Sequence, residues 1–108
     1  MRKLELNINN KNYSLMLTRE SIKWLEANGF NAADFDKKPI TFYDLIWTSL
    51  FLANHKDVNP NLAIKLLETY QASGKNITSV IKFAIEEYQA FMSALANTDT
   101  EQLTITEI

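Results

Sequence analysis

The side chains that could carry chemistry are few and poorly arranged for it. The chain of 108 residues has one histidine and no cysteine, which rules out the two-histidine and cysteine-rich zinc arrangements. His55 lies between Asn54 and Lys56, where it reads as a solvated residue at a helix end and not as a general base. Asp34, Asp36, Asp44, Asp57 and Asp99 are scattered, and none falls in a calcium-loop spacing. Glu86 and Glu87 are adjacent, so on a helix they point in different directions and cannot face each other across a substrate. A serine nucleophile would need a base that only His55 or a perturbed lysine could supply, and no serine stands in a nucleophile-elbow context. Gly29 and Gly74 stand alone, without the lysine and serine of a phosphate-cradling loop. The sequence therefore predicts no catalytic residues, no metal, no cofactor and no enzyme.

Binding to a charged polymer is equally poorly served. The 11 basic and 13 acidic side chains leave a net charge of -2, too small a field of either sign to imply nucleic acid or an anionic membrane. Were the third helix a DNA reader, its outward positions would offer Asn61, Lys65, Glu68, Thr69 and Gln71, with a single cation. No stretch approaches eighteen uncharged apolar residues, so no transmembrane span is expected, and the first twenty residues lack the apolar run of a signal peptide. Aromatic residues, 11% of the chain, are the richer signal. Tyr43, Trp47, Phe51, Tyr88, Phe91 and Met92 are candidate partner-binding residues, because aromatic side chains anchor protein interfaces and methionine adapts to irregular surfaces. Core burial is the competing reading for each.

The elements that would position these residues follow from periodicity and caps. Leu4, Leu6 and Ile8 alternate with Glu5 and Asn7, and after the run Asn9 to Asn12, Tyr13, Leu15 and Leu17 alternate with Ser14 and Met16. With Asn10 and Lys11 as a two-residue loop, Ile8 opposes Tyr13, Leu6 opposes Leu15 and Leu4 opposes Leu17, and one face becomes apolar. A lone hairpin is marginal in water and needs a cover. The helix that follows, from about Arg19 to Asn28, is the expected cover, capped by Thr18, stapled by Leu17 and Ile22, and closed by Gly29.

Beyond a polar connector with a short turn at Ala32 to Phe35, a second helix is expected over Phe42 to Ala53. Thr41 and Asp44 are spaced as a capping box, with Ile40 and Leu45 as its staple. Its apolar arc covers most of the circumference, which predicts a central helix. Asn59-Pro60 opens a third helix to Ser73, closed by Gly74, and a fourth runs from Thr78 to about Ala96 with Val80, Ile81, Ala84, Ile85, Tyr88, Phe91, Met92 and Leu95 at three- and four-residue steps. The fold class is α+β, an N-terminal antiparallel β-hairpin followed by a four-helix, mainly α packing unit. It makes one domain over residues 1–96, with a flexible or partner-ordered tail at 97–108 that is richer in β-branched threonine.

The segments YSLMLTRESIKWLEANGF (Tyr13 to Phe30) and KPITFYDLIWTSLFLANHKDVNPNLAIKLL (from Lys38 to Leu67) resemble the small tail assembly chaperones of long-tailed bacteriophages and their prophages. The likeness is strongest in Leu17-Thr18-Arg19-Glu20-Ser21, in the helix end from Trp24 to Phe30, in Lys38-Pro39-Ile40-Thr41 and in the aromatic-rich helix leading into Asn54-His55, and it spans about Leu4 to Leu95. The resemblance implies a cytoplasmic factor of the infected or lysogenic bacterial host that binds the helical tape measure protein, shields its apolar stripes and brings tail tube subunits to it. It also implies self-association through the hairpin edge or the fourth helix, and in some members a longer form made by frameshifting near the end of the short reading frame. A small DNA-binding or regulatory domain of a mobile element, and a tail component retained in the virion, are the alternatives that the residues leave open.

Overall fold

β1 (Leu4–Ile8) and β2 (Lys11–Leu15) form a two-stranded antiparallel hairpin. Its turn is Asn9-Asn10, with φ of 54° and 67°. A two-residue hairpin of this twist places both central residues in the left-handed region, which asparagine tolerates and lysine does not favour. The loop accordingly falls one residue earlier than Asn10-Lys11, and the pairing becomes Leu4↔Leu15, Leu6↔Tyr13 and Ile8↔Lys11. That corrects the expected register by two positions. A shift of two preserves which face each side chain occupies, so Ile8, Tyr13, Leu15 and Leu17 are still buried together. The computed structural model describes residues 2–107, with side chains described through position 95.

α1 (Arg19–Ala27) begins on a reciprocal cap. Thr18 Oγ1 accepts from the Ser21 N–H at 3.2 Å, and Ser21 Oγ accepts from the Thr18 N–H at 3.1 Å, so two otherwise orphaned donors are satisfied. Leu17 and Ile22 are buried on either side of this cap. Gly29, at φ 88°, turns the chain out of the helix, and the Phe30 N–H closes back on the Leu25 carbonyl at 2.9 Å.

α2 (Pro39–Ser49) departs from the expected start at Thr41. Pro39 occupies the first helical position, where its fixed φ suits the helix and its missing N–H is harmless. Thr41 and Asp44 consequently lie inside the helix and form no capping box, and Ile40, 71% exposed, staples nothing. The helix also stops short of Ala53. Leu50, Phe51 and Leu52 donate to carbonyls three residues back at 3.2, 3.2 and 3.4 Å, a tighter winding that ends the α-helical ladder.

α2 is nonetheless the central helix, packed against α1, α3 (Pro60–Ala72) and α4 (Thr78–Glu107). Its hydroxyls are satisfied inside the helix, Thr48 Oγ1 on the Asp44 carbonyl at 2.8 Å and Ser49 Oγ on the Ile46 carbonyl at 2.7 Å. The hairpin leans on α3 and on the turn that follows α2: Tyr13 meets Phe51 edge-on at 5.6 Å, the Met16 N–H donates to the Leu50 carbonyl at 3.1 Å, and β1 touches α3.

α3 opens on Asn59, whose Oδ1 accepts from the Leu62 N–H at 2.8 Å, with Pro60 at the first helical position. α4 begins at Thr78 as expected. Val80, Ile81 and Ala84 are buried against the core, and Ile85, Tyr88 and Phe91 are half-buried. α4 runs on to Glu107, past the end expected near Ala96, so the segment expected as a flexible or partner-ordered tail at 97–108 continues the helix through 107; its side chains lie outside the described residues. The N-terminus is clamped to α4: Arg2 donates from its backbone N–H and its Nε to the two carboxylate oxygens of Glu87 at 2.9 and 2.8 Å, and its guanidinium lies 5.3 Å from the centre of the Phe83 ring.

Candidate functional site

The most apolar hollow that the closed fold leaves lies between the connector after α1 and the outer flank of α4; a further, open depression of about 430 Å³ beside α1 is edged by the charged Glu20, Lys23 and Lys56 together with Trp24 and Leu52. The connector is held in a tight turn by Asn31, whose Oδ1 accepts from the Ala33 N–H at 3.0 Å. This turn brings Phe30 and Phe35 back onto the helices. Phe30 packs on Phe42 and Tyr88 with ring centres 5.2 and 5.8 Å apart, and Phe35 packs on Tyr43 at 5.6 Å. Two depressions result, with Phe35 and Ile85 lining both. The first, about 270 Å³, is walled by Phe30, Phe35, Ile46, Ile85 and Tyr88, with Gln89 at its side and the small Ala32 and Ala84 leaving it depth. The second, about 330 Å³ and more open, runs past Tyr43 and Ile81 to Lys82 and Glu86. Because Phe35 and Ile85 line both, they form one apolar groove alongside α4.

The groove continues into an apolar strip that climbs out of the core. From Ala84 to Leu95 the inward-facing positions of α4 pass from 2% exposure to half-buried Tyr88 and Phe91 and then to Met92 and Leu95, at 39% and 37%. Arg19 sits over the Phe91 ring at 6.0 Å, a cation on an otherwise apolar flank. The volume of the deeper depression is slightly under the roughly 300–1,000 Å³ of sites that enclose a small ligand. An open apolar groove along a helix, with a half-exposed strip beyond it, has the shape that receives side chains of an amphipathic helix.

The six residues expected to contact a partner therefore divide. Tyr43 lines the open end of the groove, Tyr88 lines the deep end, and Phe91 and Met92 lie on the strip beyond. Trp47 and Phe51 do not belong with them. Both are 0% exposed, Trp47 Nε1 donates to the Ala63 carbonyl at 2.8 Å, and its ring lies 5.3 Å from Phe51 and 5.5 Å from Tyr70. No partner can reach them without opening the core. Conversely Phe30, Phe35, Ile85 and Leu95 belong to the groove or its strip and were not among the expected contacts. Two large aromatics in an otherwise polar connector were the signal available for Phe30 and Phe35.

Three titratable groups, His55, Asp44 and Glu87, are shaped by their neighbours in the fold. His55 is half-buried, not solvated: its Nε2 accepts from the Ser14 N–H at 2.9 Å, and its ring stands edge-on to Tyr13 at 5.0 Å. Nε2 is therefore the unprotonated nitrogen, and the ring closes off a strand edge. Burial, reinforced by the charge of Glu68 on α3, lifts the Asp44 carboxyl above its ordinary 3.8. At Glu87 burial works in the same direction but is outweighed by the hydrogen bonds and charge of Arg2, which hold the carboxyl below its ordinary 4.5. Among the described residues no group of three or more acidic or histidine side chains is placed to hold a metal ion, and no helix is long and apolar enough to cross a membrane.

A family model described as a domain of unknown function, DUF5055, matches residues 1–106. No curated protein and no solved structure matches the chain.

Proposed function

We propose that this chain, which belongs to the DUF5055 family, is a non-enzymatic tail assembly chaperone of a long-tailed phage or prophage that holds helical segments of the tape measure protein. The observation that carries the reading is the groove. Its walls are apolar, it runs alongside α4 beside Ile81, Ile85 and Tyr88, and it opens onto exposed Met92 and Leu95. A tape measure helix presents long apolar stripes that aggregate in water, and a groove of this kind removes such a stripe from solvent by about 25 cal/mol for each Å² of apolar surface covered. The sequence likeness to phage tail assembly chaperones favours a tape measure helix as the occupant, and delivery of tail tube subunits is the second step of the proposed role. The work would take place in the cytoplasm of the bacterial host.

Co-expression tests the reading. A tape measure fragment that is insoluble alone should become soluble with this chain and co-purify with it. Tyr88→Ala and Met92→Glu should weaken capture about tenfold or more, the order expected when an interface anchor is lost, with far-UV circular dichroism unchanged. Equal capture by the parent and both variants, or no capture by the parent, refutes it.

A further inference from the structure

The walls of the groove are apolar, but a cation that the fold leaves unpaired stands at each of its ends. At the open end Lys82 is exposed and lines the second depression; at the far end Arg19 is exposed over the Phe91 ring at 6.0 Å. Neither has an ion-pair partner among the described residues. The acidic side chains of α4 up to position 95 are Glu86 and Glu87, and both accept from Arg2, at 3.4 and 2.8 Å. Glu86 borders the same depression as Lys82, yet its carboxylate is already engaged by that guanidinium.

Spacing along α4 sets what spans these two charges. Phe91 lies nine positions after Lys82, which is about 14 Å of rise and about two and a half turns, so the cations stand on opposite flanks of α4 as well as at opposite ends of the groove. A helix that meets both lies obliquely across α4, as packed helices commonly do, and its path between them is about 17 Å, or about three helical turns. Within that path Ile81, Ile85 and Tyr88 bound the two depressions, which places the depressions about one turn apart.

We infer, resting on the proposed reading of the groove as a helix-docking site, that the partner helix is acidic at both ends of its apolar stripe. Two apolar side chains about one turn apart fill the two depressions, and a carboxylate about one turn beyond each meets Lys82 at one end and Arg19 at the other. Charge selects this occupant. A helix with basic residues at the ends of its stripe sets like charges together twice, and one with apolar residues there desolvates two cations without pairing them. The whole chain carries a net charge of -2, so its overall field disfavours an acidic partner, and a preference for one comes from these two side chains.

Fluorescence anisotropy with designed peptides tests the inference on the full chain at low salt. The probe is an alanine- and glutamine-rich helix carrying two leucines one turn apart and a glutamate one turn outside each; its companion carries lysines in place of the glutamates. The parent is expected to bind the glutamate peptide about tenfold or more tightly than the lysine peptide, with the preference shrinking as salt is raised. Lys82→Glu and Arg19→Glu alter exposed positions, and circular dichroism should show both folded. Each should weaken the glutamate peptide about threefold or more, and each should regain tight binding to a peptide with lysine only at the end that faces it, a compensation that misfolding cannot mimic. Equal affinity for the two peptides, or charge reversals that leave the preference unchanged, overturns the inference; where Tyr88→Ala still abolishes binding of both, the groove stands as the docking site. Peptide binding indifferent to Tyr88→Ala as well overturns the groove reading together with it. Failure of both peptides to bind at about millimolar concentration overturns the inference alone, because capture of the tape measure fragment is measured separately.

Discussion

Replacing Trp47 by phenylalanine separates the core of this protein from its proposed docking surface. The indole is 0% exposed, donates to the Ala63 carbonyl at 2.8 Å and touches the rings of Phe51 and Tyr70. Phenylalanine keeps an aromatic ring but loses the N–H and the second ring. The hydrogen bond contributes about 1 kcal/mol. Ala63 sits in the first turn of α3, so its carbonyl keeps its helical acceptor role and is not orphaned. The space left by the missing ring atoms costs about another 1–2 kcal/mol where the surroundings do not collapse.

The sum, about 2–3 kcal/mol, is a large share of the roughly 5–15 kcal/mol that holds a domain together. Urea unfolding followed by far-UV circular dichroism should show the midpoint falling by about 1–2 M with an unchanged slope. Trp47→Ala, at about 3–5 kcal/mol, should leave little folded protein at 37 °C. Helix capture by folded Trp47→Phe should match the parent. A loss under about 0.5 kcal/mol, or a selective loss of capture at full stability, would refute the assignment of Trp47 to the core.

Three further perturbations read other contacts. His55→Phe keeps the ring packing on Tyr13 but strands the Ser14 N–H; stability should fall by about 1–3 kcal/mol, with faster hydrogen exchange at the Ser14 amide. Asp44→Asn should stabilise at neutral pH, because a carboxyl raised by burial and by Glu68 opposes folding while ionised; the gain should fade on acidification as Asp44 takes up its proton. Glu87→Gln should do the opposite. The Glu87 carboxyl is held below 4.5 by Arg2, so its contribution is present above that pH and is lost as pH falls through the folded value, and the difference between parent and variant in urea titrations should shrink on acidification below 4.5.

Local chemistry was legible in the sequence and long-range enclosure was not. Thr18, Asn59, Gly29 and Gly74 mark helix ends through bonds or φ values within a few residues of themselves, so their positions could be read directly. Where two local signals competed, the reading failed. Pro39 at the first helical position prevailed over the Thr41–Asp44 spacing, and the left-handed turn at Asn9-Asn10 prevailed over Asn10-Lys11. Trp47 and Phe51 were misplaced for a different reason. A helix apolar around most of its circumference does not reveal which arc its neighbours cover, and that depended on α3 supplying Ala63 and Tyr70 and on the hairpin supplying Tyr13. Phe30 and Phe35 were placed by a connector whose path no periodicity predicts.

The central claim is that the groove beside α4, and no other surface, receives a partner helix. Its most direct test is a two-dimensional NMR titration of the labelled chain with a soluble tape measure helix. Shift changes should concentrate at Phe30, Phe35, Ile85, Tyr88, Phe91 and Met92, leaving the Trp47 indole and the outward face of α3 still. Changes centred on Lys65 and Glu68 of α3, or a spectrum unmoved at saturating peptide, would contradict it.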